Sequence, residues 1–237
     1  MTYRSLVMVR VKSNLGVLIG TLGCFIFFLS QDMIKEAKDL CWGMKCTMSD
    51  KSIQQKTGRI EDASLEEQCI EKEIVFSGRM LRMDRDRIRL PNGVETTREV
   101  VRHPGAVGIL PFKGEELILV RQYRYPIEEI TLEIPAGKLD PGEEPLTCAV
   151  RELREETGYR GTLEHLVSIY TTPGFTDEII HLYKATDLVW DPLQTDEDEF
   201  LNVESVPWAM AKEMALAGEY KDAKTILGIL MLAGKEK

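Results

Sequence analysis

The chain has 237 residues, 43% hydrophobic and 29% charged, enough apolar material for one globular domain with an appendage. Its formal net charge is −9 and no basic block or aromatic–basic interleaving occurs, which argues against a nucleic-acid-binding surface. The five cysteines (Cys24, Cys41, Cys46, Cys69 and Cys148) are odd in number and follow no zinc-ligand spacing, so a reducing, cytoplasmic setting is expected rather than a disulfide framework. Residues 1–48 differ in texture from all that follows. Leu15–Leu29 is an apolar run preceded by Arg4, Arg10 and Lys12. It is shorter than the roughly 20 residues a spanning helix needs, and no small-x-small cleavage site follows it. The expectation is upstream sequence ahead of a working start near Met44 or Met48. Membrane contact follows only if residues 15–29 are an anchor.

Residues 49–70 read as a polar linker, and residues 71–104 as an N-terminal strand region. Strands are expected at Glu73–Phe76, Arg79–Met83 and Arg85–Leu90, with Pro91-Asn92-Gly93 turning the chain back through Val94–Val101. Residues 105–237 form the principal domain. Ala106–Pro111 and Glu116–Tyr123 are strands about a Lys113-Gly114 turn, and Thr131–Ile134 is another. Further strands are expected at Leu163–Thr171 and Ile179–Ala185, then helices at Pro207–Ala217 and Asp222–Ala233. Many strands with a few late helices indicate an α+β class.

Gly137–Tyr159 reads as a tight loop followed by a helix, with Pro145 suited to its first position and Gly158 to the residue past its end. On that helix Glu152 and Glu156 stand roughly 40° apart, with Glu155 roughly 60° to the other side. Leu146, Ala149, Val150 and Leu153 adjoin them and are expected to bury against a sheet, and Cys148 is a small core residue. Three carboxylates held this close repel one another; a hard divalent cation among their oxygens removes the repulsion. The plainer alternative is a solvated acidic face beside Arg151 and Arg154.

The full spacing decides between them. Gly137, five residues, Glu143, seven residues, then Arg151-Glu152-Leu153-Arg154-Glu155-Glu156-Thr157-Gly158-Tyr159 resembles the signature of the Nudix hydrolases at every fixed position. The resemblance implies an α/β/α sandwich around a mixed sheet, with Mg²⁺, or Mn²⁺, as cofactor. It implies metal ligation by Glu152, Glu156 and the main-chain carbonyl of Ala136, with Glu155 bound directly or through water. Arg151 and Glu143 are expected to brace the loop against the helix.

Pro173, fifteen residues past Gly158 in Tyr170–Glu178, resembles the ADP-ribose pyrophosphatase branch, whose members carry a catalytic glutamate in this loop. Glu178, with Asp177 next in line, is then the base that activates water. Arg124 and Arg98 resemble family positions that hold the diphosphate or the sugar, the latter reaching across from a second subunit. Arg102 and Arg121 are weaker competitors, and His103 reads as a turn residue. Tyr123 and Tyr125 either stack on adenine or pack the sheet edge. The implied activity is hydrolysis of ADP-ribose to AMP and ribose 5-phosphate by a homodimer. The alternatives are another nucleoside diphosphate sugar such as GDP-mannose, a non-catalytic nucleotide-sugar-binding module, or a membrane-tethered scaffold.

Overall fold

In the first sheet a period of two governs a strand that carries few apolar residues. Arg82–Arg89 (β3) turns Asp84, Asp86 and Ile88 inward and its arginines outward. The outward arginines find acids on or just beside the neighbouring strands: Arg85 on Glu73 at 2.8 Å, Arg87 on Glu71 at 3.0 Å and Arg89 on Glu95 at 2.9 Å. β3 pairs antiparallel with Gln68–Glu71 (β1) and Ile74–Ser77 (β2), and also with Glu95–Arg102 (β4). The two strands expected at Arg79–Met83 and Arg85–Leu90 are thus one. The inward aspartates interrupt the apolar alternation by which a strand is recognised. β1 also occupies the end of the stretch expected to be linker. The structure, a computed structural model, describes residues 65–194 and 200–236. The apolar run and the starts at Met44 or Met48 lie outside the described residues.

Seven strands form the second, mixed sheet: Ala106–Lys113 (β5), Glu116–Arg124 (β6), Glu129–Glu133 (β7), Ala136–Lys138 (β8), Tyr159–Tyr170 (β9), Ile179–Trp190 (β10) and Leu201–Pro207 (β11). Its main order is β11-β6-β5-β10-β9, with β5 and β10 parallel. β5 and β6 pair only at their hairpin tip, through Phe112–Leu117 and Lys113–Glu116. Beyond it they splay. β7 then pairs with β6 and β8 with β5, which brings the backbone of Ala136 and Gly137 into the middle of the sheet. β8 and β11 were not expected. A three-residue strand containing a glycine carries no periodicity, and β11 lies at the sheet edge with most of its residues partly or fully exposed.

Alternation along β5 sends Val107 and Ile109 to one face and Leu110 to the other. Pro145–Thr157 (α1) covers the first face through Cys148, Ala149 and Leu153. Trp208–Ala217 (α2) and Ala223–Lys235 (α3) cover the second through Ala211, Ala215, Ile229 and Leu232. The architecture is the expected α/β/α sandwich. α1 starts with Pro145 and stops at Gly158, whose φ of 77° only glycine adopts without strain. Its buried side differs from expectation: Leu146 and Val150 are 52% and 39% exposed, while Glu152 and Glu156 are buried. The helix leans on the sheet through small residues, which bring its carboxylates down against the backbone of β8. No helix among the described residues is long and apolar enough to cross a membrane.

Candidate active site

The site is built where β8 meets α1. A Cβ on Gly137 would stand 1.9 Å from Oε1 of Glu152 and 2.0 Å from its Cδ, so that carboxylate occupies space only glycine leaves. The backbone N–H of Ala136 donates to Oε2 of Glu156 at 2.8 Å. Both glutamates are at most 5% exposed. Carboxylates buried this deeply must be matched by donors or cations.

Arg151 supplies much of that match. Its Nη1 donates to Oε1 of Glu152 at 2.6 Å and to Oε2 of Glu155 at 2.9 Å. Its Nε and Nη2 bind Glu143 at 3.1 and 2.8 Å, and Nη2 also reaches the carbonyl of Lys138. Glu143 accepts the N–H of Asp140 as well, which closes the loop onto itself. Bracing of the loop against the helix by Arg151 and Glu143 is therefore present. The guanidinium holds the Glu143 carboxyl at a pKa of about 2. Burial pushes the Cys148 thiol up to about 12, so Cys148 is packing and not a nucleophile.

The carboxylates of Glu152, Glu155 and Glu156 and the carbonyl of Ala136 are hard oxygen donors on two adjoining segments, the chemistry Mg²⁺ selects. The space above Gly137 is filled by one of them. The residues therefore fit a divalent metal in kind and in neighbourhood. Among the described residues no three His, Cys, Asp or Glu side chains are closed around a common point. Arg151 draws Glu152 and Glu155 to one side while the Ala136 N–H draws Glu156 to the other.

Beside these carboxylates opens a cavity of about 670 Å³, lined by Arg124, Glu133, Tyr170, Thr171, Glu178 and Lys224 among others. Its size suits a small organic ligand. Arg124 grips Glu133 with Nε and Nη2 at 2.8 and 2.7 Å, and Lys224 binds the same carboxylate. Burial would raise the pKa of Glu133, but Arg124, Lys224 and Thr131 override it and hold it at about 2. Arg124 in turn feels the charge of Glu156, which ties the cavity to the carboxylates on α1. Glu133 and Lys224 were not singled out from the sequence. An acid inside the apolar stretch Thr131–Ile134 was the available signal for the first.

Glu178 lines the cavity and accepts from Thr171 Oγ1 at 2.6 Å, with Nδ1 of His103 3.6 Å from its other oxygen. Both oxygens of Asp177 are engaged, by Nη1 of Arg102 at 3.2 Å and by the N–H of His103 at 2.9 Å. Arg98 lies outside the cavity lining, on β4, paired with Glu67 at 2.5 and 3.1 Å. Arg121 is held by Glu204, and Nδ1 of His103 accepts the Gly105 N–H, a turn role. Tyr123 and Tyr125 are 55% and 79% exposed. A cavity of about 790 Å³ between Phe112 and Trp208 lies at the far end of β5 and includes none of these residues.

Residues 102–227 match the profile of the NUDIX domain. The chain is 45% identical over 177 residues to an ADP-ribose pyrophosphatase of Bacillus subtilis, covering 73% of this chain and 96% of that one. It is 43% identical over 175 residues to a methanol dehydrogenase activator of Bacillus methanolicus, covering 72% and 95%. A crystal structure of an ADP compounds hydrolase superposes with a TM-score of 0.65 at 25% identity, covering 71% of this chain and 93% of that chain.

Proposed function

The chain belongs to the Nudix family, and from that premise we propose that it hydrolyses ADP-ribose to AMP and ribose 5-phosphate, in the cytoplasm and with Mg²⁺. The observation that carries the chemistry is the Glu152 carboxylate lodged over Gly137, with Glu156 bound to the adjacent N–H and the Arg124–Glu178 cavity alongside. The identity to the Bacillus subtilis enzyme supports the choice of substrate.

Held by Glu152, Glu155, Glu156 and the Ala136 carbonyl, Mg²⁺ or Mn²⁺ would neutralise the diphosphate and acidify water. Arg124, fixed by Glu133, offers a planar fork to a phosphate oxygen. Glu178 takes the proton as water attacks phosphorus; the bridging P–O bond breaks, and the electron pair leaves on the departing phosphate. The test is product release from a panel of nucleotide sugars with Mg²⁺ present. ADP-ribose should be cleaved fastest; preference for GDP-mannose would overturn the substrate assignment.

Three further outcomes follow. Gly137→Ala should cost about 10²-fold in kcat, because the added methyl displaces the Glu152 carboxylate by more than an ångström. Circular dichroism should remain parental.

The second concerns acid stability. Glu133 is lowered from 4.5 to about 2 in the folded state. A depressed carboxylate stabilises the fold above its unfolded pKa and ceases to do so as pH falls through the folded one. About 3 kcal/mol should thus disappear between roughly pH 4.5 and 2. Denaturant titration across that range should show a steep loss in the parent and a shallower one in Glu133→Gln.

The third is assembly. Ile74, Val75, Phe76 and Met80 are 59%, 40%, 56% and 53% exposed on the N-terminal strand region. We place a second copy of the chain on this patch, with Arg98 reaching the partner's cavity. Sedimentation at micromolar concentration should show a dimer; a fully active monomer would refute it.

A further inference from the structure

We propose that Arg102 and Asp177 form a latch that positions Glu178, fastening its loop to the N-terminal sheet, so that this sheet is part of the catalytic apparatus. The proposal rests on Glu178 being the base.

Glu178 immediately precedes β10, at the end of the 171–178 loop. That loop is stitched to the end of β4. The Val101 N–H donates to the Phe175 carbonyl at 2.8 Å, and the Asp177 N–H donates to the Val101 carbonyl at 3.3 Å. Side chains complete the join. Nη1 of Arg102 binds Oδ2 of Asp177, and the His103 N–H binds its Oδ1. Each carboxylate oxygen thus faces a donor fixed to β4, which leaves residue 177 one orientation. Its neighbour Glu178 is then set from both sides. Its N–H donates to Thr176 Oγ1 at 3.1 Å, and its carboxylate accepts from Thr171.

The far side of Arg102 is anchored as firmly. Nε binds Asp84 at 2.9 Å and Nη2 binds Asp86 at 3.1 Å, so all three guanidinium nitrogens are engaged. Nη2 of Arg82 donates to the same Asp84 oxygen at 3.0 Å, and its Nε lies 2.9 Å from the other. Asp84 and Asp86 are 1% and 6% exposed, on the strand face where apolar residues would pack without cost. Oδ1 of Asp86 is buried without a hydrogen-bond partner. Buried ion pairs of this kind are a weak source of stability, often bettered by apolar side chains. They do fix direction. A planar guanidinium gripped on two nitrogens can aim the third at one point only, and here that point is Asp177.

Asp177→Asn tests the latch, since it removes the charge pair but keeps an acceptor for the His103 N–H. Arg102 is the poorer target, because its removal strands two buried carboxylates. The variant should lose about 10- to 100-fold in kcat with KM changed by less than about threefold, the signature of a displaced group. Amide hydrogen exchange across Phe175–Glu178 should quicken by about tenfold or more as the loop loosens. In a Glu178→Gln background the same change should cost nothing further, because its effect passes through Glu178. An equal loss in both backgrounds would overturn the proposal, as would parental exchange in the loop. The base assignment fails separately, if Glu178→Gln alone is near parental. The exchange rate, which does not pass through Glu178, then decides the latch by itself.

Discussion

Glu156→Gln is expected to lower kcat by about 10³-fold while the protein folds as before. The amide keeps the volume of the side chain and an oxygen that can accept the Ala136 N–H at the observed 2.8 Å. What disappears is the negative charge, and with it a proposed ligand to the metal that neutralises the diphosphate. The loss should lie in kcat and in the Mg²⁺ concentration needed for half-maximal rate, and less in substrate affinity. Thermal melting of the apoprotein should move little, since a buried charge is exchanged for a buried neutral group. Kinetics across a Mg²⁺ series make the measurement. Near-parental turnover at saturating Mg²⁺ would remove Glu156 from the ligand set and shift the role to Glu152 and Glu155.

Glu178→Gln should reduce kcat by roughly 10²–10⁴-fold, the range associated with losing a general base. KM should stay close to parental, because Arg124 and the rest of the cavity lining are untouched. The amide can still accept from Thr171 Oγ1, so the loop keeps its conformation and the defect is chemical. A variant with weakened binding and unimpaired turnover would move the base elsewhere. Asp177 is a poor substitute. Its oxygens are committed to Arg102 and to the His103 N–H, and drawing either away would open the join to β4.

Much of the carboxylate-bearing helix could be read in the sequence because its geometry is local. Pro145 and Gly158 bound it through their own backbone preferences, and helical rotation alone brings Glu152 and Glu156 to one side. The turn at Asn92-Gly93, with Gly93 at a φ of 85°, is legible for the same reason. The family signature added the placement of Ala136 and Gly137 next to those carboxylates, which no local rule supplies.

What the chain by itself did not disclose depends on which surfaces meet. Leu146 and Val150 are apolar at helical spacing, yet both stay exposed to solvent, and α1 meets the sheet through Cys148, Ala149 and Leu153. Glu133 and Lys224 stand 91 residues apart and share one ion pair. Arg102 and Asp177 stand 75 apart and join the end of β4 to the loop before β10. Single acids and bases at such distances leave no periodic trace, since each is an ordinary charged residue until the fold brings its partner to it and, for Glu133 and Lys224, removes its water. The sequence determined the local helix, its carboxylates and the diphosphate chemistry they imply. The tertiary structure decided which distant charges desolvate together, because the penalty for burying a charge is settled only when its partner arrives from elsewhere in the chain.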